Sequence, residues 1–136
     1  MKLVVDANVL FSALLRKGLT RHLWFHPEMQ LFAPEFILNE ALSHNAELLK
    51  KYGGTREEFL RLFECLAGQV SLVSDSDLKP YLPAASTLSQ DSKDWLYLAC
   101  ALYANAAIWS QDKDFQGQAR VEIKTTIELA NEIGLL

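Results

Sequence analysis

The run Leu3-Val4-Val5 restricts the fold more than any other stretch of this chain, because it is apolar and β-branched with no polar alternate. A strand with water on one face alternates apolar and polar residues, whereas an unbroken apolar run belongs to a strand covered on both faces. Strands of that kind occur in parallel sheets with helices above and below. Asp6 closes the run and Asn8 follows two residues later. Open α/β sheets bind their ligands at the carboxyl ends of strands, which is where Asp6 stands. Asp is also a favoured helix N-cap, so at this point cap and ligand are both open for Asp6.

The rest of the chain repeats the alternation. Val9 to Leu15 reads as a helix stopped by Arg16-Lys17-Gly18, and Leu19 to Phe25 as a second, broken by His26-Pro27. Gln30 to Ala33 is a short strand, and Pro34 suits the first turn of the helix that follows. That helix carries Phe36, Ile37, Leu38, Ala41, Leu42, Leu48 and Leu49 on one broad face until Tyr52-Gly53-Gly54 stops it. Thr55 and Glu58 form a capping box for a helix ending near Gly68, and Val70 to Val73 is a third strand. Ser74 to Ser89, with Pro80 and Pro83, reads as loop plus a short helix. Asp91 to Asn105 is apolar on every side and predicts a buried helix. Ala106 to Trp109 and Val121 to Lys124 complete the strands, and Thr125 with Glu128 caps a last helix reaching Ile133. The expected architecture is a three-layer α/β/α sandwich around a central, mostly parallel five-stranded sheet, with residues 1–136 as one domain.

Composition narrows the function classes. The 136 residues are 50% hydrophobic and 22% charged, which is globular and not disordered composition. No apolar run suits a membrane span and the N-terminus shows no signal-peptide pattern, so a cytoplasmic protein is expected. Cys65 and Cys100 lack CxxC spacing and read as buried free thiols. His22, His26 and His44 form no metal-ligating pattern and read as surface or capping residues. A net charge of −4 argues against a broad basic nucleic-acid face. Nucleic-acid contact would need local basic residues or bridging cations.

Four places bring a carboxylate to a strand end or to the start of a helix: Asp6, Glu40, Asp94 (with Asp91) and Asp112 (with Asp114). In a parallel sheet all strand ends of one kind share an edge, so Asp6 and Asp112 face one crevice and Asp94 comes near them. Each has an ordinary alternative. Asp91 suits an N-cap, Asp94 a first-turn acid that favours the helix dipole, and Asp112 and Asp114 turn residues. Glu40 and Glu47 occupy nearly the same angular position two turns apart, so periodicity does not choose between them. Several close carboxylates repel unless neutralised, and hard divalent cations such as Mg²⁺ or Mn²⁺ suit an all-oxygen site without His or Cys. The chemistry this suggests is metal-dependent phosphodiester hydrolysis.

With those residues in place, a family resemblance can be drawn. Asp6-Ala-Asn8-Val-Leu-Phe-Ser-Ala-Leu-Leu, a mid-chain Glu40, Asp94-Trp-Leu-Tyr-Leu-Ala-Cys-Ala-Leu and Ile108-Trp-Ser-Gln-Asp112-Lys-Asp114-Phe together resemble the PIN domain. The resemblance implies a compact three-layer fold and an acidic site for Mg²⁺ or Mn²⁺. It also implies single-strand-selective ribonuclease activity, as in the VapC-like toxins of prokaryotic toxin–antitoxin pairs. Asp6, Glu40, Asp94 and Asp112 match the family's acidic quartet, and Asp114 a frequent extra acid. Glu40 is taken over Glu47 because it lies nearer its helix start. Asn8 and Ser110 match polar positions that support the site or meet the substrate, while Lys93 and Lys113 are phosphate contacts or solvated surface. The expected partners are single-stranded RNA, an antitoxin protein and a second copy in a homodimer, with no membrane. Two other classes stay open. One is a catalytically silent module for RNA binding or assembly. The other is a phosphotransferase with Asp6 as nucleophile, disfavoured because such enzymes need an acid where Asn8 stands.

Overall fold

The computed structural model of the chain describes residues 1–112, 115 and 117–136. Its sheet has five strands: β1 (Lys2–Val5), β2 (Gln30–Pro34), β3 (Val70–Val73), β4 (Ala107–Trp109) and β5 (Ile123–Lys124). They lie in the order β3-β2-β1-β4-β5 and every pairing is parallel. The expected sheet was mostly parallel; among the described strands it is wholly so. β1 sits in the middle, with Leu3, Val4 and Val5 fully buried, which is the two-faced burial that their unbroken apolar run predicts.

The strand order sets the position of the site. From β1 the chain moves outward on one side through β2 and β3, then returns to add β4 and β5 on the other. The reversal leaves a crevice beyond the carboxyl ends of β1 and β4. Val5 pairs with Trp109, so the next residues on each strand, Asp6 and Ser110, come face to face there.

Helices cover both faces. α1 (Ala7–Leu15) packs with α2 (Leu19–Trp24), α3 (Phe36–Ser43), α4 (Asn45–Tyr52) and α5 (Arg56–Gly68). Along β1 and β2 lies α8 (Trp95–Ala104), with the short α6 (Asp75–Leu78) and α7 (Leu82–Ser86) against it; α9 (Thr126–Glu132) packs on α2. These contacts use most of the apolar surface of α8: Leu98, Ala99 and Cys100 are fully buried, while Tyr103 at its far end is exposed. Burying a Leu or Val side chain of this kind stabilises by about 1.5–3 kcal/mol. Two indoles join the layers, their ring centroids 6.0 Å apart, and neither N–H is left unpaired. Trp24 Nε1 donates to the Leu66 carbonyl at 2.9 Å and Trp109 Nε1 to Thr126 Oγ1 at 3.0 Å.

Four local features differ from the sequence reading. Pro34 ends β2, opposite Val73, instead of opening a helix, and α3 begins at Phe36. The long helix expected after it is two, broken at His44. At the break the Glu40 carbonyl accepts from Ser43 Oγ at 2.8 Å as well as from the His44 backbone N–H at 3.3 Å, so side chains gather on the last turn of α3. Residues 75–86 are mostly helical, with Ser74 capping α6 and Pro80 and Pro83 in first-turn positions where a missing N–H costs little. Finally, Cys65 is exposed, not buried, because it lies roughly 100° around α5 from the buried Leu66. Cys100 is buried as expected, and burial pushes its thiol up to about 12. Among the described residues no helix is long and apolar enough to cross a membrane.

Candidate active site

Beyond the ends of β1 and β4 lies a cleft of about 260 Å³, and Asp6, Glu40, Asp94 and Asp112 all line it, together with Asn8, Asp91, Lys93 and Tyr97. Four separate segments of chain supply the acids: the β1–α1 junction, α3, the turn before α8, and the segment after β4.

Asp6 resolves its own ambiguity by filling both roles. Its Oδ1 accepts from the Val9 backbone N–H at 2.8 Å, capping α1, while Oδ2 accepts from Ser110 Oγ. Ser110 Oγ in turn accepts from the Asp112 N–H at 2.9 Å, so one hydroxyl ties the segments after β1 and β4 together. Ser110 is 1% exposed, so its hydroxyl holds the acids in place and does not face the cleft's contents. Burial pushes the Asp6 carboxyl above its ordinary range. The Ser110 and Val9 hydrogen bonds oppose that rise, and the Asp112 and Glu40 charges reinforce it.

Glu40 is half-buried on α3, and Tyr97 Oη donates to its Oε1 at 2.5 Å. Tyr97 is buried, and its phenol is pushed well above the usual range, first by burial and then by its bond to Glu40 and that residue's charge. It is therefore a fixed neutral donor. Asp94 is almost buried, and its Oδ2 accepts from Ser89 Oγ at 2.9 Å. Ser89 is itself fixed from both ends. Its hydroxyl accepts from the Asp91 N–H at 3.1 Å and its carbonyl from Trp95 Nε1 at 2.8 Å. Asp91 caps the 3-10 turn Ser92–Asp94 through the Lys93 N–H at 3.0 Å. Asn8 is exposed at the rim. Glu47, the other acid that periodicity allowed, is exposed on α4 and pairs with Lys51 at 2.8 Å. Asp114 and Lys113 lie outside the described residues.

Sequence reasoning missed Tyr97 and Ser89 as members of the site. Tyr97 sits in an apolar run and reads as core, and its partner lies 57 residues away. A spacing of five residues between Ser89 and Asp94, across a turn, carries no periodic signal.

The donor set suits a hard divalent cation: carboxylate oxygens from four elements around one polar cleft, with no sulfur or imidazole among them. Among the described residues no three Asp, Glu, His or Cys side chains stand close enough together to hold a metal ion between them. Mg²⁺ binds through one or two carboxylates and keeps several waters, so such a spread of acids fits it better than it would fit zinc.

A parallel sheet with carboxylates ringing its switch point defines an α/β fold with an acidic crevice. The chain belongs to the PIN domain family, whose profile matches residues 4–133. It is similar to a chain of the Rickettsia felis VapBC2 crystal structure, in which the complex is bound to a DNA fragment from their promoter. The TM-score is 0.71 at 13% identity, over 92% of this chain and 98% of that one. It is also similar to a chain of a toxin–antitoxin complex from Klebsiella pneumoniae, with TM-score 0.65 at 16% identity, over 91% and 97% of the two chains. At such identities the likeness is one of fold. No curated protein matches the chain.

Proposed function

We propose that this protein is a single-domain, Mg²⁺- or Mn²⁺-dependent endoribonuclease that hydrolyses phosphodiester bonds of single-stranded RNA. The observation that carries the reading is the convergence of Asp6, Glu40, Asp94 and Asp112 on one cleft at the sheet's switch point. Asp6, Asp94 and Asp112 would hold the principal cation, one or two of them directly and the rest through its waters, with Asp114 as a further ligand. When bound, that cation supplies a water of lowered pKa and offsets charge developing on phosphorus. The remaining tasks fall to the chain. Tyr97 holds Glu40 so that its second oxygen orients the attacking water, or a second ion. Ser110 donates to Asp6, which opposes the rise that burial causes, and fixes the Asp112 backbone beside it. Ser89 holds Asp94. Lys93, on the cleft wall, meets a substrate phosphate, and Asn8 at the rim the substrate itself.

The likeness to chains of the Rickettsia and Klebsiella complexes supports a finer reading, a toxin held by a protein antitoxin, and we take that toxin to work in the cytoplasm as a homodimer. Incubating the protein with single-stranded and duplex RNA tests the activity. Cleavage of the single strand with Mg²⁺ or Mn²⁺, lost with EDTA and in Asp6→Asn and Asp94→Asn, is the expected result. Cleavage that survives either treatment overturns the mechanism. Metal and RNA binding with no cleavage identifies instead a catalytically silent module.

A further inference from the structure

At the far end of α1 from the acidic cleft lies a second one, of about 540 Å³, and its chemistry is the opposite. Lys17, Arg21, His22 and His26 line it with Phe25, and no acid does. Nine residues of helix, about 13 Å, separate the two sites. In a chain of net charge −4 two cations beside two imidazoles stand out, and among the described residues neither Lys17 nor Arg21 has a carboxylate partner.

Two of the groups are held in place. Arg21 Nε donates to the Ala13 carbonyl at 2.7 Å and Nη2 to the Leu14 carbonyl at 3.1 Å, closing the last turn of α1. That fixes the plane of a guanidinium with three further N–H donors. His26 Nδ1 accepts from the Glu28 N–H at 3.1 Å, which puts the proton of the neutral ring on Nε2. His26 therefore offers a donor and not a lone pair, and the His22–His26 pair, with ring centroids 6.4 Å apart, suits an anion better than a metal. Beside them Phe25 is 39% exposed, so part of a large ring is open to the cleft. A fixed guanidinium, imidazole donors, a lysine and an open aromatic face match a phosphate joined to a base. The volume falls within the range of about 300–1,000 Å³ usual for small-ligand pockets.

We propose that this cleft binds a phosphorylated nucleotide unit, the phosphate among Lys17, Arg21, His22 and His26 and the base stacked on Phe25. The unit is either a free nucleoside monophosphate or the end of a single strand. The site needs no metal and no turnover, so it stands or falls apart from the ribonuclease reading.

NMR titration of metal-free, chelator-free protein tests it, with the His22 and His26 imidazole signals as the readout. AMP is expected to shift both saturably, and adenosine and inorganic phosphate to bind at least about tenfold more weakly, since each lacks one half of the recognition. Phe25→Leu should weaken AMP several-fold while leaving inorganic phosphate unchanged. The surface pair Lys17→Gln with His26→Gln should weaken both ligands, and it spares Arg21, whose loss would loosen α1. A 5′-phosphorylated tetra-adenylate that binds tighter than AMP marks a strand end as the ligand, and equal affinity marks the free nucleotide. No saturable shift by about 10 mM AMP, or equal affinity for AMP and phosphate, overturns the proposal.

Discussion

Removing one oxygen atom from Tyr97 isolates what Glu40 contributes. Tyr97→Phe keeps a ring of nearly the same volume in a site that is 4% exposed, so it opens no cavity; what it deletes is the hydrogen bond to Glu40 Oε1. A hydrogen bond to a charged group has a net worth of about 1.5–3 kcal/mol. Glu40 is only half-buried, so water can re-solvate the abandoned oxygen and the lower end applies, about 1.5 kcal/mol. For a chain of this size that corresponds to a fall in Tm of about 3–5 °C. Truncation to Ala would instead leave a cavity and cost about 3–5 kcal/mol. With its anchor gone, Glu40 samples several rotamers, and a loss of about 1.4 kcal/mol in transition-state stabilisation is tenfold in rate. Thermal denaturation and steady-state cleavage of a short RNA measure the two effects separately, with kcat expected to fall about tenfold and KM to change less than twofold. A lowered Tm with unchanged kcat would refute the reasoning, since Tyr97 would then be a structural residue that happens to touch an acid.

Three further outcomes are expected. Ser110→Ala removes the hydroxyl shared by Asp6 and the Asp112 N–H, and should cost about 1.5–3 kcal/mol in urea denaturation together with weaker Mn²⁺ binding by calorimetry. The Asp6 pKa is raised above its ordinary 3.8, so its contribution to stability is complete below that pH and fades as pH rises through the raised value. Metal-free protein should accordingly lose urea resistance from about pH 4 upward more steeply than Asp6→Asn does, and parallel curves would contradict this. Glu40→Gln should abolish cleavage, whereas Glu47→Gln, which breaks only an exposed pair with Lys51, should leave both cleavage and Tm unchanged.

The parts of this molecule that were legible in its sequence are those where one physical demand dominates. Leu3-Val4-Val5 is buried on both faces and the helix around Leu98 over most of its surface, and an unbroken apolar run signals little else. The meeting of Asp6 with the segment holding Asp112 follows from parallel topology alone, because strand register places Asp6 opposite Ser110. Where two demands compete, the sequence is silent. Glu40 and Glu47 share an angular position on an ideal helix, but the break at His44 ends the helix between them, and only Glu40 reaches the cleft. Pro34 satisfies a strand end as well as a helix start. Tyr97 looks like core because most of it is core; only its terminal oxygen belongs to the cleft, and it takes meaning from a partner in another element.

The cap on α1 has a use beyond stability. Because Asp6 Oδ1 holds the Val9 N–H, the first turn of that helix is wired to a carboxylate lining the acidic cleft. Anything that pulls Asp6 toward the cleft stretches that bond, and anything that withdraws lets it shorten. The Val9 amide is thus a built-in gauge of what occupies the crevice, readable as an amide chemical shift or an exchange rate without any label at the site itself.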